Sequence, residues 1–318
     1  MNEPVMDRPA APPANPVSRM AGAITAPVTT FEDVARRPGW LPPFLVYLGV
    51  FLVVFAVFSM RADWVAIVTD QIENGPFSGL MPDAMKDQAV RDAAAPIKAM
   101  SPLQLTLTNL SNYGPGLLVF FHFLAVLYAS LFVMMGSVPN LKLGKAWLNF
   151  LVCFLIMIAY FAIYSVGQFA FKDAPDSRVM LTVLGSVVVT AAWIWLLNRR
   201  ATADPEYHGI LSVLSYGSMA LMVSTLALLA LTLVSPTPIA TPPEQMVKAH
   251  PGALIKTGIP VLQKLLESLN VFWIWFYVLL TLGFRAVTKL STGLSASIAF
   301  LPWAVVVLIS LAMAAVSG

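Results

Sequence analysis

The chain has 318 residues, of which 58% are hydrophobic and 11% are charged, with a formal net charge of +3. Soluble domains carry roughly 25% charged residues, and a mean hydropathy of +0.78 excludes a pair of soluble domains, because no polar stretch is long enough to bury a core of its own. The small basic excess calls for no nucleic-acid partner, since cytoplasmic loops of membrane proteins carry such an excess, and one cysteine, Cys153, cannot build a disulfide framework.

Residues 1–28 are rich in Pro and Ala and poor in large apolar side chains. They read as a disordered cytoplasmic tail, and they lack the apolar core of a cleavable signal peptide. Residues 29–318 read as one all-α domain, a polytopic transmembrane bundle of about seven spans with a cytoplasmic N-terminus. Just before the first span, Phe31 has an apolar ring and no span to join, so it is expected to pack back under the bundle or onto a partner. Arg36, Arg37 and Trp40 are expected to anchor the first span at the interface, and ordered structure to begin near residue 29.

The spans are expected at 41–60, 116–136, 146–171, 179–197, 210–234, 271–286 and 298–316, the sixth beginning earlier, near Leu265. The clearest is the second, in which no Asp, Glu, Lys or Arg interrupts the run; about 20 apolar residues cross ~30 Å of hydrocarbon. Segment 61–115 reads as extracytoplasmic and amphipathic, with a charged helix over 82–95 that Pro96 stops. Leu254, Ile255, Ile259, Leu262 and Leu265 line an interfacial helix interrupted at Pro260. In the fifth span, Ser212, Ser215, Ser218 and Ser224 with Gly217 predict close helix packing.

Short loops set the orientation. Lys142 and Lys145, Arg199 and Arg200, Arg285 and Lys289, and Arg36 and Arg37 all fall on one side when seven spans are counted, and that side is then cytoplasmic.

Residues that could do chemistry are few. The three histidines, His122, His208 and His250, have no metal-ligand spacing. No phosphate loop or nucleophile elbow is present. Asp204 and Glu206 stand two apart and could pair for acid–base work, although a solvated loop is the plainer reading. His122 is the intramembrane polar candidate, and the plainer reading makes it a neutral hydrogen-bonding partner of a neighbouring helix. No span has a charged residue near its centre, which argues against an ion-coupled carrier. The chain is expected to be no enzyme and to need no cofactor or metal.

The run TFEDVARRPGWLPPFLVYLGVFLVVFAVF at 30–58 resembles the start of the bacterial branch of the Yip (Ypt/Rab-interacting protein) family through Phe31, Glu32, Asp33, Pro38, Trp40, Pro42 and Pro43. The stretch HGILSVLSYGSMALMVSTLALL is similar to a family helix through Ser212, Val213, Ser215 and Tyr216. The last two spans are similar through Asn270, Phe272, Trp275, Gly283, Lys289, Ala296 and Trp303. These stretches cover about a third of the chain. The family core usually has five spans, so 146–197 reads as an extra helical hairpin, and the Tyr-Gly-rich motif of eukaryotic relatives is not found.

The resemblance implies a non-enzymatic protein of the bacterial inner membrane that organises or binds protein or lipid partners, with membrane lipids, other membrane proteins or copies of itself as partners. A permease-like component moving a small neutral or lipid-like substrate is the alternative. Within the matched tail, Asn270 is expected to cap the sixth span, Trp273, Trp275 and Tyr277 to join the interfacial aromatic belt, and Arg285 and Lys289 to anchor its inner end.

Overall fold

The computed structural model describes residues 15–74, 81–170 and 174–317, and these are helical almost throughout. In chain order the helices are α1 (Pro16–Thr25), α2 (Pro27–Arg36), α3 (Leu41–Arg61), α4 (Trp64–Asn74), α5 (Asp83–Lys98), α6 (Pro102–Met134), α7 (Leu143–Ala170), α8 (Pro175–Thr202), α9 (Pro205–Gly217), α10 (Met219–Val234), α11 (Pro243–Met246), α12 (Pro260–Ser268), α13 (Val271–Thr288) and α14 (Thr292–Ser317). Among the described residues, seven stretches are long and apolar enough to cross a membrane: α3, α6, α7, α8, α9 continued by α10, α13 and α14. The protein is an all-α, polytopic integral membrane protein.

The α2–α3, α6–α7, α8–α9 and α13–α14 connections share one end, here called the basic end. The Arg200 guanidinium donates to the Lys142 carbonyl there at 3.1 Å, and Phe31 packs beside Gly283. At the opposite end the Gln104 side-chain amide donates to Asp176 at 2.8 Å, so α6 and α8 run in the same direction. Arg61 and Asp63 clasp the chain beyond α10: Ile239 N–H donates to the Arg61 carbonyl and Asp63 N–H to the Ile239 carbonyl, both at 2.8 Å.

One apolar core joins α1, α2, α3, α6, α7, α8, α9, α10, α13 and α14. Within it α9 is the central element, buried from Gly209 through Gly217. Its glycines let α13 approach. A Cβ at Gly217 would stand 2.8 Å from Leu280 Cδ2, and one at Gly209 2.8 Å from Val287 Cγ1. Of the small residues singled out in the fifth span, Ser212, Ser215, Gly217 and Ser218 pack closely in the core, whereas Ser224 is half-buried. Ser215 spends its carbonyl on the Ser218 hydroxyl at 2.7 Å, which interrupts the helix ladder between α9 and α10.

Four element boundaries differ from expectation. The tail expected over 1–28 is helical from Pro16, because Asn15 caps α1 by accepting from Ser18 N–H at 2.7 Å and Met20 and Ala23 are buried. Residues 1–14 of that segment lie outside the described residues. The helix of the second span starts at Pro102, 14 residues before the apolar run. Ser101 and Gln104 form a capping box, and Pro115, expected to precede the span, sits buried inside the helix. At ~1.5 Å per residue its 33 residues reach ~50 Å, more than the ~30 Å of hydrocarbon. Pro96 does not stop α5, which ends only after Lys98. The sixth span starts at Val271 and not near Leu265, because Asn270 accepts from Phe272 N–H at 3.0 Å and Trp273 N–H at 3.4 Å, leaving α12 as a separate helix. The expected third span reaches 171, a residue outside the described ones.

The 146–197 hairpin is present as α7 and α8, antiparallel to each other and packed on α6. The Tyr160 hydroxyl ties the two helices by donating to the Thr182 carbonyl at 3.1 Å.

Candidate functional site

A cluster of buried charged and polar side chains lies where α6, α7, α8 and α9 meet, toward the basic end. Asp204 starts the arrangement. It is the N-cap of α9, accepting from Tyr207 N–H at 3.2 Å, and Pro205 at the first helical position suits a cap followed by a turn with no N–H to spare. Its other carboxylate oxygen accepts from Arg200 at 2.7 Å and from Lys142 N–H at 3.1 Å. Arg200 and Asp204 are 8% and 4% exposed, so this ion pair is out of water and must be matched by hydrogen bonds to be tolerated. The bonds to Lys142 supply part of that match and pin the α6–α7 turn onto the α8–α9 turn.

Tyr207 carries the cluster inward. The Arg200 guanidinium carbon stands 5.6 Å from its ring centroid, a cation–π distance, and the same ring lies 6.5 Å from that of His122. His122 is fully buried. Its Nδ1 accepts from the Trp193 indole N–H at 3.1 Å, which leaves the imidazole proton on Nε2. Phe150 meets the ring edge-on at 5.3 Å. His122 Nε2, Tyr207 Oη and Arg200 Nε are buried without a hydrogen-bond partner, an uncommon concentration of polar atoms for a span interior.

Asp204 and Glu206 do not form an acid–base pair. Asp204 faces Arg200, whereas Glu206 faces Asn140, whose amide donates at 3.4 Å. The expectation of a solvated loop fails for Asp204, since α8 runs to Thr202 and leaves only a tight turn before α9. The signal available in sequence was Arg200 four residues before an Asp-Pro step.

The other candidates divide into core and surface. Phe31 is fully buried against Gly283 and Val213, a Cβ at Gly283 standing 2.9 Å from Phe31 Cδ1. Arg36 and Arg37 are exposed. Trp40 was expected at the interface, but it is 1% exposed, because it stacks with Phe121 at 6.2 Å and tilts onto Phe44 at 5.6 Å. Tyr277 is likewise a core residue, stacked on Trp273 at 6.1 Å, whereas Trp275 is partly exposed. Arg285 and Lys289 are exposed at the end of α13, and Lys289 closes that helix in the left-handed conformation with φ 59°.

A second polar contact holds α1 and α2. Arg19 Nε donates to Asp33 at 2.7 Å and its Nη1 to the Arg37 carbonyl at 3.0 Å. One cation thus fastens the α1–α2 hairpin shut.

Comparison with protein-family models, with curated proteins and with solved structures found no match for this chain.

Proposed function

We propose that this protein is a non-enzymatic membrane bundle of the Yip type, placed in a bacterial inner membrane with its basic end in the cytoplasm, where it organises or binds protein or lipid partners. The observation that supports this reading most is the way the centre of the bundle is filled. Aromatic and aliphatic side chains of ten helices form a single core, and polar groups within it tie helices together, as the Trp193 indole does to His122 and the Tyr128 hydroxyl to the Ala299 carbonyl. A permease needs a continuous polar path, with midplane groups that exchange partners as the substrate passes. The Arg200–Asp204 pair instead bonds the backbone of Lys142, which holds a turn in place. The docked α1–α2 hairpin adds a folded surface at the basic end, with Glu32, Arg36 and Arg37 exposed for contact with partners.

Two measurements test the reading. Photo-crosslinkers at Arg36 and Arg37 in living cells should give discrete adducts of defined mass. In sealed liposomes the purified protein should leave the efflux of small neutral solutes at the protein-free rate. Accelerated efflux, with no discrete adduct, would replace this reading with the permease-like one.

A further inference from the structure

The lipid-facing side of α8 ends in an arrangement that the buried cluster does not use. Met180, Leu184, Val188, Ala191, Trp195 and Arg199 fall on one helical stripe, and all are exposed. Trp195 leaves 60% of its surface open, and the guanidinium carbon of Arg199 stands 5.6 Å from its ring centroid. Arg200, the next residue, bonds the Lys142 carbonyl at 3.1 Å, which brings the start of α7, with its exposed Lys142 and Lys145, beside the end of α8. From Lys145 a second exposed stripe runs down α7 through Leu148, Val152 and Leu155.

Two neighbouring antiparallel spans thus present apolar stripes that end together in cations. A half-exposed Trp at the end of an apolar stripe marks the level where hydrocarbon gives way to headgroups. An Arg stacked on that Trp is held in a preset orientation, and its planar fork matches phosphate oxygens two at a time. An aqueous acidic protein would not suit the apolar stripes beneath, whereas fatty-acyl chains would.

We propose that this corner is a binding site for an anionic phospholipid: Arg199, seated on Trp195, engages the phosphate, Lys145 adds to the attraction, and the acyl chains lie along the α7 and α8 stripes. A zwitterionic lipid carries its own ammonium group and would be attracted less. The site requires only that the bundle spans a bilayer, so it stands or falls separately from the partner-binding role proposed above.

The full chain in phosphatidylcholine nanodiscs gives the test. A minor fraction of brominated-chain phosphatidylglycerol, or of brominated-chain phosphatidylcholine, is added and tryptophan quenching is recorded. The chain has eight tryptophans, so the Trp195 contribution is taken as the difference from Trp195→Phe. The anionic lipid should quench Trp195 about fivefold more effectively per mole, the preference that one cation at an anionic surface supplies. Arg199→Gln should remove the preference while helicity and the quenching of other tryptophans stay unchanged. Raising the salt on the unsubstituted protein should also reduce it, which gives a readout that needs no variant. Equal quenching by the two lipids, a preference that survives Arg199→Gln, or one indifferent to salt would overturn the proposal.

Discussion

Asp204 accepts from Arg200 at 2.7 Å with both side chains almost wholly buried, at a turn of two residues between two spans. Removing one partner of such a pair leaves a charge without water or counter-charge, which costs about 3–5 kcal/mol. Asp204→Ala should therefore lower the unfolding midpoint in detergent sharply. The double variant Arg200→Met, Asp204→Leu should lose less than the single one. A double loss equal to or larger than the single loss would show that the pair does more than hold the turn.

The sixth span can be tested at Gly283. Adding a methyl group there would push into Val213 and Phe31, so Gly283→Ala should destabilise the bundle by about 1–3 kcal/mol through overpacking. Val213→Ala on the same background should recover part of the loss, as neighbours in contact do not add. Thermal unfolding of Gly283→Ala, Val213→Ala and the double variant is the check. Independent, additive losses would mean that α9, α13 and α2 do not meet as described.

Truncations test the N-terminal hairpin. Beginning the chain at Ala26 removes the buried Met20 and Ala23 and both side-chain hydrogen bonds of Arg19. That shortened protein should unfold at lower temperature than the full chain, and Arg19→Gln should show a smaller loss in the same direction. A midpoint unchanged by removing α1 would make the hairpin a surface ornament.

The spans were legible in the sequence because bilayer crossing needs little besides length and apolarity, and 41–60 stands within two residues of α3. Phe31 was legible for a similar reason, as a large ring just outside a span has nowhere dry to go but under the bundle. Trp40 and Tyr277 were misplaced because an aromatic at a span end suits an interface and a core equally, and only the stagger of neighbouring helices decides. Helix α1 was hidden by its composition: Ala, Gly and Pro signal a tail, whereas α1 is held by docking, through Met20, Ala23 and Arg19. The Arg200–Asp204 pair was hidden differently. A charged loop reads as solvated until the turn beside it is seen to fold over it.

His122 accepts one hydrogen bond, from Trp193 at 3.1 Å. His122→Leu would bury the Trp193 N–H with no acceptor, at a cost of about 1–3 kcal/mol. Adding Trp193→Phe to it should restore part of the stability, because both partners of the bond are then gone. Unfolding midpoints of the two variants decide this, and a double variant less stable than His122→Leu alone would contradict the bond's purely structural role.

The arrangement of the seven spans with the basic end in the cytoplasm is tested most directly by side-specific cysteine labelling. In a Cys153→Ala background, Asn140→Cys and Thr202→Cys place thiols on exposed positions of the α6–α7 turn and the last residue of α8 at the basic end, and Asp87→Cys places one on exposed α5 at the opposite end. With an impermeant thiol reagent on intact cells, Asp87→Cys should label while Asn140→Cys and Thr202→Cys label only after the cells are opened. Labelling of Asn140→Cys from outside intact cells, or of both ends from the same side, would contradict it.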